Sequence, residues 1–252
     1  MDIIITSLVE DTLRYARSIY GSGCMGQVVG AIDAGKTTAM LYAQKKLETQ
    51  HKDPVIWVRG CSDTPRIYML HELFRAISGR DSDRMSMNPS DMLRRIVSAG
   101  QKCGCKLIIV DFHSLVMEPT VFELLEVMDC FRQAQVPVGM LVASMQIRQG
   151  MMPFANSYAG NTLLRAPLFS SQYSTRREIA SVLRAVSGNF SGFCARVDHQ
   201  EADALQVLQK LIEATEGAMG RVIRLAGPAA EGKVALSNRE VLALVTKGAE
   251  PF

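Results

Sequence analysis

Gly30-Ala31-Ile32-Asp33-Ala34-Gly35-Lys36-Thr37 decides how this chain is read. A glycine, four residues and then Gly-Lys-Thr make a phosphate-binding P-loop when a strand runs in and a helix runs out. Both flanks are present. Gln27-Val28-Val29-Gly30 is a short apolar strand, and a long helix follows from Lys36 to about Gln50. The glycines let the backbone curl so that amide N–H groups face phosphate oxygens. The N-terminus of the following helix adds positive potential. Lys36 is placed for the β- and γ-phosphates of ATP, and the Thr37 hydroxyl for Mg²⁺. The expected nucleotide-binding set is Gly30, Asp33, Ala34, Gly35, Lys36, Thr37 and Thr38.

A P-loop needs an acid at the tip of a buried strand. Leu107-Ile108-Ile109-Val110 is apolar on both faces, as a central parallel strand must be. Asp111 ends it and is expected to hold Mg²⁺ together with Thr37. Many ATP-hydrolysing relatives place a Glu next to polarise the attacking water. Here that position is Phe112, which accepts no proton. His113 is adjacent and Glu118 is close, but neither stands at the usual place. Hydrolysis of ATP to ADP and phosphate is therefore slow, organised by another residue, or absent.

Around this centre strands and helices alternate. A helix is expected over about Ser7–Tyr20, with Leu8, Leu13, Ala16 and Ile19 on one face. Pro54–Val58 is a strand and Arg66–Ser78 a helix, with Ile67, Leu70, Leu73, Phe74 and Ile77 inward. Gly79–Pro89 is a polar loop, and Ser90-Asp91 is placed to cap a helix running to about Cys103. A helix over Pro119–Gln135, a strand over Val138–Ala143 and a short fifth strand at Pro167–Phe169 complete the series. The class is α/β, a parallel five-stranded sheet flanked by helices. Beyond about Ser174 only helical patterns remain: Arg176–Ser187, Gln200–Glu216, Met219–Ala230 and Asn238–Lys247. Two domains are expected, an α/β nucleotide-binding domain over 1–175 and a small helical lid over 176–252.

Composition fits this picture. Of the 252 residues, 48% are hydrophobic and 21% charged, which excludes a disordered or fibrous chain. The net charge of +3 is too small to argue nucleic-acid binding from bulk charge, so a local patch would have to supply it. No run approaches the ~18 apolar residues of a membrane span, and the Met1-Asp2 start carries an acid where a secretion signal carries a base. A cytoplasmic protein is expected, with Cys24, Cys61, Cys103, Cys105, Cys130 and Cys194 as reduced thiols. Cys103-Gly104-Cys105 is the one close pair, too little for a zinc site.

The chain resembles the AAA+ ATPases that regulate transposition, the TnsC, TniB and MuB group. The resemblance runs through Val28–Thr37, Pro54–Arg59, Leu107–Asp111 and Val136–Ser144, and ends in Ala214–Arg221 with the helix after it. It implies an ATP- and Mg²⁺-dependent homo-oligomer, a ring or helical filament on double-stranded DNA. Such a protein recruits transposase and a target-selection protein of the TniQ type to the insertion site. By the same resemblance Ser144 is the sensor of the γ-phosphate, with Gln146 a second candidate. Arg165 is the finger that reaches a neighbour's phosphates, and Arg221 is the second sensor. The family's DNA channel lies at the loops after the second strand, which selects Arg66, Arg80 and Arg84 as DNA contacts. The residues 151–160 form a loop expected at the subunit interface, and Met85, Met87, Met151 and Met152 are candidates for adaptable partner contacts. Three rivals stay open: another DNA-associated AAA+ ATPase, such as an initiator or helicase loader; an ATP-binding scaffold that does not hydrolyse; and a small-molecule kinase, which uses the same loop but against which the C-terminal helical segment argues.

Overall fold

The computed structural model describes residues 5–60, 66–80, 88–112, 118–145, 163–166, 173–227 and 235–248. In chain order the first part comprises α1 (Ser7–Ile19), β1 (Met25–Val29), α2 (Lys36–His51), β2 (Val55–Gly60), α3 (Arg66–Ser78), α4 (Pro89–Cys103), β3 (Leu107–Phe112), α5 (Glu118–Gln133), β4 (Gly139–Ser144) and β5 (Leu163–Arg165). Then come α6 (Tyr173–Val186), a 3-10 turn at Gly188–Phe190, α7 (Ser191–Asp198), α8 (Ala202–Ala214), α9 (Met219–Ala226) and α10 (Asn238–Gly248).

All strand pairs are parallel, in the order β2-β3-β4-β1-β5. The body of the sheet has four strands, not five of full length. At the free edge of β1 there is only the three-residue β5, with Val29 in register with Arg165. The strand expected at 167–169 falls outside the described residues. Every residue of β3 and of β4 is buried, as the central position of a parallel sheet requires. The strand order puts β1, which leads into the P-loop, beside β4, while β3 carries Asp111 on β4's other side. Loop and acid therefore emerge at the same carboxyl edge, where ligands of open α/β sheets bind.

The main core packs α3, α4 and α5 on the sheet through Met69, Leu70, Leu73, Ile96, Leu124 and Phe131, among others. The α4 cap is set two residues earlier than the Ser90 expected from the sequence. Asn88 Oδ1 accepts from the Ser90 N–H at 3.1 Å, with Pro89 in the first turn, and Gly104 closes the helix at φ 70°. Phe112 belongs to this core, on the strand face opposite Asp111. It lies against Gly60 so closely that a Cβ there would come within 2.3 Å of its ring.

The chain divides into two compact units. One is Ser7–Ile32 with Lys36–Ala166; the other joins Asp33–Gly35 to Pro167–Phe252 and Met1–Thr6. The helical part of the second unit has its own apolar core, built on Phe190, Phe193, Leu208, Leu211, Val222 and Val241. Its last helix starts with a reciprocal cap: the Ser237 N–H and Oγ both donate to Glu240 Oε2, at 2.7 and 2.6 Å. Those hydrogen bonds hold the Glu240 carboxyl below its ordinary pKa.

Candidate functional site

The P-loop is shaped by two glycines for different reasons. Gly35 stands at φ 90°, which side-chain-bearing residues rarely adopt. Gly30 is needed for space, since a Cβ there would lie 2.5 Å from the Ala166 Cβ just after β5. The Gly30 N–H donates to the Ser144 carbonyl at 3.2 Å, fastening the loop's start to the end of β4. Ser144 is buried beside it.

Lys36 is buried, and its ammonium donates to the Gly30 and Ala31 carbonyls at 2.8 and 2.7 Å. The cation thus lies curled inside its own loop. Thr37 Oγ1 donates to Asp111 Oδ2 at 2.8 Å. Asp111 is buried, and its other oxygen, Oδ1, has no hydrogen-bond partner. A buried carboxylate oxygen left in this way is costly unless something cationic satisfies it. A hydroxyl and a carboxylate on adjoining elements are the oxygen ligands that Mg²⁺ takes, usually keeping several waters. The residues present therefore fit Mg²⁺, held by Thr37 and Asp111. Among the described residues there is no cluster of three or more His, Cys, Asp or Glu side chains able to hold a metal.

Asp33 adopts φ 61°, an unusual conformation for a residue with a side chain. Its carbonyl accepts from the Gly220 N–H at 2.7 Å. Its carboxylate takes both arms of the Arg224 guanidinium, Nη1 to Oδ1 at 3.1 Å and Nη2 to Oδ2. That hydrogen bond raises the Arg224 pKa above its ordinary value. Ala34 is buried, and Thr38 is exposed on the first turn of α2.

The other expected residues divide. Arg221 pairs with Glu216 at 2.9 Å. Arg165 is the last residue of β5, placed by its backbone alone. Arg66 opens α3, likewise placed by its backbone, and Arg80 is exposed two residues past the end of that helix. Arg84, His113, Gln146, the expected interface loop at 151–160 and the four loop methionines lie outside the described residues. Arg224 was missed in the sequence. It lies one helical turn beyond Arg221, the residue that the resemblance selected, and the signal that could have found it is the acid inside the P-loop.

No family model matches the chain, and no curated protein matches it in sequence. Solved structures do match its fold. The Cdc6p structure from Pyrobaculum aerophilum superposes with a TM-score of 0.56 at 10% identity, over 88% of this chain and 61% of that one. A chain of the Drosophila ORC structure bound to DNA superposes with a TM-score of 0.51 at 12% identity, over 90% and 62%. This chain thus spans about three fifths of the length of each. At such identities the likeness establishes the fold, a parallel α/β sheet with helices. No helix among the described residues is long and apolar enough to cross a membrane.

Proposed function

We propose that this protein is an AAA+ type ATPase that binds Mg²⁺-ATP at Gly30–Thr38 and Asp111, assembles on double-stranded DNA, and regulates transposition by recruiting a transposase. The observation that carries the nucleotide reading is the Thr37–Asp111 hydrogen bond, with the second Asp111 oxygen left for a cation. When bound, Mg²⁺ would neutralise and orient the phosphates. Lys36 would exchange its two loop carbonyls for phosphate oxygens, and the α2 N-terminus would support the negative charge. Phe112 is buried in the core, so no base comes from that position, and ATP acts first as a ligand that holds subunits together.

The transposition reading rests on the sequence resemblance from Val28 to Arg221. An initiator or loader reading has its own support, the fold likeness to Cdc6p and to an ORC chain solved on DNA. Electron microscopy of the protein with duplex DNA, with and without Mg²⁺-ATP, tests the shared part, and ATP turnover is followed in the same samples. Nucleotide-dependent rings or filaments on DNA are expected. Monomers in every condition would overturn the proposal. Capture of a purified transposase by the assembled polymer, against capture of a replicative helicase, separates the two finer readings.

A further inference from the structure

Asp33 is a misfit in a loop meant for polyphosphate. It is the third of the four residues between Gly30 and Gly35, and the only charged one among them. Its carboxylate adds a negative charge where three phosphates must bring more, and like charges disfavour one another at short range. Yet the residue is held firmly. Its backbone is left-handed, its carbonyl accepts from the Gly220 N–H, and its two carboxylate oxygens are taken by the two arms of Arg224. Gly220 sits close against it, since a Cβ there would come to 3.0 Å from the Asp33 carbonyl oxygen and Cβ. Asp33 and α9 lie within one compact unit, so this clasp is part of that unit's own packing.

We infer that Arg224 is a positioning residue for the nucleotide, which cancels the charge of Asp33 so that the P-loop can accept a polyphosphate. A guanidinium suits this task because its planar fork meets both carboxylate oxygens at once. Arg221, the other arginine of this helix face, is paired with Glu216 and not with Asp33. The inference rests on the reading that this loop binds ATP. It differs from a direct contact between a lid arginine and phosphate, because here the arginine acts through Asp33.

The test is Mg²⁺-ATP affinity, measured by isothermal titration on the wild-type chain, Arg224→Ala, Asp33→Asn and the double variant, with circular dichroism to show that each is folded. Arg224→Ala is expected to weaken ATP at least tenfold. Asp33→Asn alone is expected to raise affinity, because it removes a negative charge and keeps the Arg224 cation, and in the Arg224→Ala background to restore it to within about threefold of wild type. A purely structural clasp predicts the reverse for Asp33→Asn, a loss equal to that of Arg224→Ala. A double variant as weak as Arg224→Ala, or an Arg224→Ala that binds normally, would overturn the inference. Failure of the wild-type chain to bind ATP would instead sink the nucleotide reading itself, a result separate from the other two.

Discussion

Thr37 and Asp111, separated by 74 residues in sequence, meet at 2.8 Å through a hydroxyl-to-carboxylate hydrogen bond. Two independent parts of the chain, the start of α2 and the end of β3, agree on that point only because β1 and β3 flank β4 in the sheet. The bond uses one carboxylate oxygen and leaves the other buried and unpartnered. The same geometry that suits Mg²⁺ therefore costs stability without it.

That tension gives the first prediction. Asp111→Asn removes the buried charge and the metal ligand together. The variant is expected to melt no lower than wild type in EDTA, and to lose the stabilisation that Mg²⁺-ATP gives. A ligand at 100 times its dissociation constant stabilises a protein by about 2.7 kcal/mol, a shift that thermal unfolding resolves easily. An equal shift in Asp111→Asn and wild type would show that the metal is held elsewhere.

Lys36 already makes two hydrogen bonds to loop carbonyls. Lys36→Ala is therefore expected to do two things at once. It abolishes ATP binding, and it destabilises the loop by about 1.5–3 kcal/mol, the range for hydrogen bonds to a charged group. Hydrogen exchange at Ala31 and Ile32 reads the second effect without nucleotide. Unchanged exchange there would mean that the ammonium does not hold the loop.

Phe112 invites the substitution Phe112→Glu, intended to supply a missing base. Strand alternation puts residue 112 on the opposite face from Asp111, inside the core and against Gly60. The variant would bury an unpaired carboxylate and lose several kcal/mol, without gaining turnover. Phe112→Leu keeps the site apolar and is expected to fold with an ATPase rate like that of wild type. Turnover gained in a folded Phe112→Glu would refute this placement.

The four longer strands and the P-loop were legible in the sequence because they are short apolar runs broken by glycine, and α3 was read at its true ends, whereas the three-residue β5 was not read. The 3-10 turn and α7 were not. The Ser191–Asp198 helix has only eight residues, includes Gly192, and carries too few turns for its period to show. The 3-10 turn before it is capped by the Ser187 hydroxyl accepting from the Asn189 N–H at 3.2 Å, a local signal lost among other serines and glycines, and α7 itself has no side-chain cap. Strand order was also invisible, since each strand is apolar on both faces and none names its neighbour. The Asp33–Arg224 pair was hidden for a related reason: it joins residues 191 positions apart.

Two thiols predict how stability responds to alkali. Burial, the largest cause in both, pushes Cys105 up to about 12 and Cys194 up to about 11, from an ordinary value of 9.0. A folded-state pKa above the unfolded one means stability that is fully present below about pH 9. It is then lost as pH rises through the folded values. Denaturant titrations at pH 8 and pH 10 should show the loss. In step with it, Cys105 and Cys194 should resist iodoacetamide in the folded chain at pH 8.5, while the half-buried Cys24 reacts. Labelling of all three at equal rates would contradict the burial of the first two.

Arg80 supplies the test of the DNA proposal. It is exposed, follows α3 directly, and has no ion-pair partner among the described residues. Arg75 and Arg94, by contrast, pair with Glu72 and Asp91 on their own helices. A cation bound to a phosphate releases a counterion, so each such contact adds about 0.9 to the slope of log affinity against log salt on duplex DNA. Arg80→Ala is expected to lower that slope by about one per subunit and to weaken binding similarly on any sequence, because phosphate contacts carry no base information. Arg94→Ala, which removes an already paired charge, should leave the slope where it was. Fluorescence anisotropy over a salt series on two unrelated duplexes measures both. If Arg80→Ala leaves the slope intact, duplex DNA lies on another face of the protein. If its effect depends on sequence, the side chain reads bases and the proposed phosphate contact is wrong.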